Sequence, residues 1–213
     1  MIIVNFKLFS QTFDDNAIKL ANICQKVSKA TGVKIIPAVS ALDCYKIGLP
    51  VLLQHVDNYS QGPFSGYVSP IQAQQNGAIG SLINHSEHRL KPGTIGQILK
   101  SLPENFMSVL CIQSLGQVTT WAKKYHPTYF AYEPKELIGN KHQSVATVKP
   151  EAIKNIAKEL GNIPLLVGAG IHSRSDVATS LKLGAVGILV ASDVVTSTNP
   201  ESHLLDLCAG FKV

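Results

Sequence analysis

Cysteine is scarce in this chain. Four occur among 213 residues, Cys24, Cys44, Cys111 and Cys208, far apart and with no CxxC pair. That spacing argues against a disulfide framework or a zinc site and fits a reducing compartment. Charge is sparse too, at 15% of residues. The net balance is +5, but the basic residues form no run of four and do not alternate with aromatics, so nucleic-acid binding is not expected. No apolar run approaches the ~20 residues of a membrane helix. Nothing around residues 2–4 resembles the basic and apolar regions of a secretory leader. A soluble, cytoplasmic protein without membrane contact is therefore expected. No metal-ligand spacing and no Ser/His/Asp order stands out, so neither a metal nor a cofactor is expected. The segment 5–10 contains no glycine, so a dinucleotide-binding turn after the first apolar run is missing as well.

What is present is apolar and periodic. Hydrophobic residues make up 45% of the chain, enough for one domain with a sizeable core. Short apolar runs occur at 2–6, 34–39, 51–56, 78–84, 107–112, 129–132, 164–167 and 186–190. Helical spacing predicts helices over 14–30, 41–49, 70–76, 94–101, 115–125, 150–160 and 175–183, and another opened by Asn199-Pro200. Leu115, Val118, Trp121, Ala122 and Tyr125 share one face, and Leu204, Leu205 and Cys208 are expected to face inward. Strands without polar alternation are buried on both faces, as in a parallel sheet. Eight of them suggest closure, giving an α/β fold of the (β/α)8 TIM-barrel type, with residues 1–213 as a single domain. The length lies near the lower end, roughly 200 residues, for that architecture. The rival, an open doubly wound sheet, lacks its glycine-rich first turn.

In such a barrel the site lies at the C-terminal strand ends. Glu133 is the most conspicuous residue there. It follows the apolar run 129–132 and precedes Pro134, which takes the chain out of the strand. A carboxylate at the end of a buried strand is costly unless it has a task, so Glu133 reads as a base and 134–139 as a lid. Asn5, Lys7, Gln54, His55, His85, Glu87 and Cys111 fall on the same rim. Taken singly, Lys7 reads as a solvated strand end, His85 and His55 as satisfied histidines, and Cys111 as a small apolar residue. Gly168-Ala169-Gly170 and Ala191-Ser192 offer backbone amides after the seventh and eighth runs, where phosphate commonly binds in this architecture.

Taken together, Asn5-Phe6-Lys7, Gln54-His55-Val56-Asp57, Asn84-His85-Ser86-Glu87, Ala131-Tyr132-Glu133-Pro134 with Leu137-Ile138-Gly139, Val167-Gly168-Ala169-Gly170-Ile171 and Gly187 to Ser192 resemble the triosephosphate isomerase family, most closely its short archaeal-type form. The resemblance runs nearly end to end. It implies interconversion of dihydroxyacetone phosphate and D-glyceraldehyde 3-phosphate through an enediolate. By motif it implies Glu133 as the base, His85 as the electrophile, Lys7 as the compensating cation, Asn5 as a substrate-placing amide and Glu87 as a supporting carboxylate. Ile138 and Gly139 would close over the phosphate, with Gly170, Ala191 and Ser192 as amide donors. The resemblance also implies a homodimer or homotetramer, with the 59–69 loop reaching into a partner. The chain departs from the common pattern in His88 before Arg89, in Ser65 where threonine is usual, and in Gly139-Asn140-Lys141, which lacks a second glycine. The alternatives are another phosphosugar enzyme on the same barrel, or a non-catalytic phosphometabolite-binding derivative.

Overall fold

The computed structural model describes residues 1–140 and 143–212. Strands β1 (Ile2–Asn5), β2 (Ile35–Val39), β3 (Val51–Leu53), β4 (Ala78–Ile83), β5 (Met107–Ile112), β6 (Tyr129–Tyr132), β7 (Leu165–Gly168) and β8 (Gly187–Val190) form a closed parallel barrel in sequence order. Helices α1 (Asp15–Thr31), α2 (Cys44–Ile47), α3 (Pro70–Gln75), α4 (Pro92–Ser101), α5 (Leu115–Trp121), α6 (Val145–Val148), α7 (Pro150–Leu160), α8 (Arg174–Lys182), α9 (Ser192–Val195) and α10 (Pro200–Ala209) lie in the connections. Closure comes from β1, which pairs with β2 through Ile2↔Ile35 and with β8 through Ile2↔Ile188. The (β/α)8 expectation is thus met in full, and the open sheet is excluded.

Two apolar layers follow from the alternation of side chains along each strand. Ile3, Ile36, Leu52, Leu82, Val109, Cys111, Ala131, Leu166 and Leu189 fill the barrel interior. Their neighbours, such as Ile2, Val4, Ile83, Leu110 and Phe130, point outward against the helices. Both faces of each strand are therefore dry, which is why the strands read as unbroken apolar runs.

All eight strands appear where expected, with shifted ends. β3 stops at Leu53 rather than at residue 56; beyond it the Gln54 side chain donates to the Lys7 carbonyl at 3.0 Å. α5 ends at Trp121, four residues short of the expected end, and Leu115, at its first position, is exposed while Val118 on the same face is buried. In α10 the buried positions are Leu204, Leu207 and Cys208, while Leu205 faces out. The true stripe follows i, i+3, i+4, and Leu205 falls one position off it. Two single-turn helices, α6 and α9, lie in segments that read as loops.

Gly80 marks the tightest point of the wall. A Cβ there would sit 2.2 Å from the Met107 carbonyl oxygen and 2.8 Å from Leu52 Cδ2. The backbone oxygen cannot move without breaking the β4–β5 ladder. Gly80→Ala is therefore expected to lower the unfolding free energy by about 1–3 kcal/mol. Urea denaturation would check this, and an unchanged midpoint would contradict it.

Candidate active site

Closure brings the C-terminal ends of β1, β4, β6, β7 and β8 to one rim. Glu133 is the first residue after β6, its N–H held by the Ile112 carbonyl at 2.9 Å. The side chain lies over Gly168, where a Cβ would come 2.8 Å from Glu133 Cγ. Glu133 is only 7% exposed, and its Oε2 has no hydrogen-bond partner among the described residues. Burial is the main influence on this carboxyl and pushes its pKa up; His85 and Lys7 pull it partly back, and Glu87 adds to the rise.

His85 Nε2 lies 3.5 Å from Glu133 Oε2. The Glu87 backbone N–H donates to His85 Nδ1 at 3.3 Å, which assigns the ring proton to Nε2. The Glu87 carboxylate at 3.7 Å from Nδ1 is too distant to compete for that nitrogen. Asn5 Nδ2, 3.4 Å from Nε2, then makes a packing contact, because two N–H groups cannot bond to each other. The result is an imidazole whose free N–H faces the rim.

Lys7 is not a loose strand end. Its backbone is left-handed, with φ 50°. Its N–H donates to Asn5 Oδ1 at 3.1 Å, and its Nζ meets Glu87 Oε1 at 2.7 Å. Among the described residues, three of the five non-glycine residues with positive φ, Lys7, Asn84 and Ala169, follow or end rim strands. Such conformations cost free energy and persist only where surroundings enforce them.

The two amide loops face the same space. Ala169 and Gly170 are both left-handed, at φ 70° and 72°. Ala191 precedes α9, and the N–H groups of Val194 and Val195 are the first to bond back to its carbonyl. The amides of Ser192 and Asp193 thus lie ahead of the first intrahelical bond. A cavity of about 50 Å³ is lined by Asn5, Lys7, Glu133, Ile138, Gly170 and Ser192, among others. Gly139 and Ala191 also line it. A second, of about 440 Å³, meets it at Asn5 and Lys7 and contains His85 and Glu87.

All ten sequence-predicted residues therefore converge on two adjoining hollows. His55, expected to be structural, lines the larger one, stacked on His88 with ring centroids 4.0 Å apart. Cys111 is fully buried, and burial pushes its thiol well up, which keeps it a small apolar residue. The lid segment runs through a turn at Lys135–Leu137, with Leu137 buried and Lys135 and Glu136 exposed. Lys141 of the expected far hinge lies outside the described residues. Sequence reasoning missed His172 and Asp193, which also line the smaller cavity. The available signal was position alone, since each directly follows a residue of the amide loops. Among the described residues no group of three or more His, Cys, Asp or Glu is placed to hold a metal ion.

A family model described as triosephosphate isomerase matches residues 1–210. The chain is 39% identical to the triosephosphate isomerase of Thermoplasma volcanium, over 97% of this chain and 98% of that one. It is 36% identical to that of Methanothermus fervidus, over 97% and 96%. It is 37% identical to that of Saccharolobus solfataricus, over 97% and 93%.

The raised Glu133 pKa has a consequence for stability. The native state holds this proton to higher pH than the unfolded chain, whose carboxyl has the ordinary value of 4.5. Above the native pKa, stability therefore carries the cost of a buried charge, and that cost shrinks as pH falls towards 4.5. Glu133→Gln should unfold at higher urea than wild type at pH 7 to 8, about the ordinary working range. The gap should close on acidification. A glutamine variant that is no more stable at neutral pH would show that burial does not dominate.

Proposed function

The chain belongs to the triosephosphate isomerase family, and from that premise we propose how its residues divide the interconversion of dihydroxyacetone phosphate and D-glyceraldehyde 3-phosphate. One observation carries the reading: a buried carboxylate with an unpaired oxygen stands 3.5 Å from an imidazole N–H, on a cavity that Lys7 and two amide loops also line. A glutamate base, a neutral histidine and a closing lid are this family's own well-known chemistry, and the geometry fits them. Neither a second phosphosugar reaction nor a non-catalytic role finds support in the comparisons.

Glu133 takes a proton from one substrate carbon and returns it to the next. Burial helps it, since a carboxylate with a raised pKa is a stronger base once ionised. His85 donates its Nε2–H to the oxygens that become an enediolate. A neutral donor suits an oxygen that gains charge and then loses it again. The Lys7 ammonium offsets the charge of phosphate and enediolate, and Glu87 holds that ammonium in place. Asn5 bridges the two, with its oxygen on Lys7 N–H and its amide nitrogen beside His85. The phosphate takes the amides of Gly170, Ala191 and Ser192. Ile138 and Gly139 cover it and exclude water, which would otherwise act on the intermediate.

Residues 1–213 read as one catalytic domain, because β1 pairs with β8 and all eight strands close into one barrel. A homodimer is the assembly we infer. Large exposed apolar residues follow β1 (Leu8, Phe13), β2 (Leu42, 86% exposed, and Tyr45) and β3 (Phe64, Tyr67). Those strands are neighbours in the barrel, so their loops share one side of the rim. A patch of that kind marks an interaction surface. A tetramer would add contacts elsewhere. Four free cysteines support a reducing, cytoplasmic setting, and burial pushes the Cys24 thiol up to about 12. No helix among the described residues is long and apolar enough to cross a membrane.

Glu133→Asp withdraws the carboxylate by about one bond length, so kcat should fall roughly a hundredfold while KM changes little. A coupled assay on glyceraldehyde 3-phosphate measures this, and near-normal turnover would remove Glu133 from the base's role. Lys7→Ala should raise KM for the phosphorylated substrate at least about tenfold; unchanged KM and kcat in the same assay would count against its role.

A further inference from the structure

Outside the residues already assigned, one partly buried pair spans the two amide loops. His172 follows Ile171 at the end of the β7 loop, and Asp193 is the second residue of α9. His172 Nδ1 donates to Asp193 Oδ2, so a hydrogen bond ties the loop after β7 to the turn after β8. His172 is anchored on its other side, its backbone N–H donating to Asp176 Oδ2 at 3.1 Å. That carboxylate also takes the Ser173 N–H at 3.0 Å in the capping box of α8. Both side chains are one-quarter exposed and both residues line the small cavity. His172 Nε2 is buried and has no hydrogen-bond partner among the described residues. Nothing in the reaction described above uses this pair.

We propose that His172 and Asp193 form a positioning clasp that sets the spacing of the two amide loops and masks a carboxylate that would otherwise repel the phosphate dianion. Two facts about the place lead there. The amides that take phosphate are carried by separate strands, and neither loop alone fixes the distance between Gly170 and Ser192. Asp193 also brings a negative charge to a cavity meant for an anion, and the imidazole N–H on its oxygen is the group that offsets it. His172 and Asp193 act through the cup and do not touch reacting atoms. The clasp rests on the phosphate-cup reading given above.

The test uses the full chain in the coupled assay, with inorganic phosphate as a competing ligand. His172→Ala should raise KM and the phosphate inhibition constant together, by about tenfold, with kcat falling less than KM rises. His172→Asn places an amide N–H close to where Nδ1 stood and should return both constants to within about threefold of wild type. The double variant His172→Ala with Asp193→Ala should be no worse than His172→Ala alone, because the unmasked charge is gone. An unchanged phosphate constant in His172→Ala, no recovery with asparagine, or additive losses would each overturn the clasp. If His172→Ala does not fold, Asp193→Ala, which opens the clasp and removes the charge together, should still raise KM and the phosphate constant through loop spacing alone, by less than about tenfold, and unchanged values there would also overturn the clasp. A wild-type protein that neither isomerises triose phosphate nor binds inorganic phosphate would instead overturn the cup itself. Normal wild-type behaviour with unaltered variants would overturn only the clasp.

Discussion

Ile2 to Val4 hydrogen-bond on one side to β2 and on the other to β8. That double pairing turns eight separate strands into a wall with no free edge. It also determines where chemistry can occur. The interior is filled with Ile3, Leu52, Leu82, Leu166 and their neighbours, so no ligand can enter it. Polar side chains are left to the strand ends, where parallel strands all point the same way. Asn5, His85, Glu133 and the amides near Gly170 and Ser192 are distant in sequence and adjacent in space for that reason alone.

The site is assembled at a cost to the fold. A carboxylate with one oxygen unpartnered is buried beside an apolar wall, and its ionised form is disfavoured by that burial. Lys7 and Ala169 are held in a left-handed backbone that their side chains do not favour, and Asn84 in one that asparagine adopts more readily. The surroundings supply what enforces these states. Asn84 is fixed by its Nδ2 on the Cys111 carbonyl at 2.9 Å and by the Leu90 N–H on its Oδ1 at 2.9 Å. The rim thus combines a rigid wall below with loops whose conformations the wall dictates.

Much of this was legible from residue order. The eight strands announced themselves because both their faces are dry, so hydrophobicity ran unbroken along each. Glu133 stood out because a charge there contradicts its surroundings. Lys7 and His85 did not stand out singly, since a strand-end lysine or histidine is compatible with solvent; only their convergence gave them meaning. Helix faces were less legible. Leu205 was expected inward because it is a leucine, yet the stripe of α10 passes through Leu207. α6 and α9 were invisible because a single turn shows no periodicity. His172 and Asp193 were missed for another reason: a hydrogen bond across 21 positions of sequence leaves no local pattern.

Gly170 joins two parts of the protein that the sequence keeps separate. A Cβ at this position would lie 2.1 Å from the Gln143 carbonyl oxygen, so the strap that follows the lid rests in the room a side chain would need. The Val145 N–H, 3.2 Å from the Ala169 carbonyl, fastens the same strap to the same loop. Any larger residue at 170 would at once raise the strap and crowd the small cavity that Gly170 lines. Strap and cavity are therefore not independently adjustable: a substitution that reshapes one necessarily displaces the other, and the hydrogen atom of a single glycine is the gauge block between them.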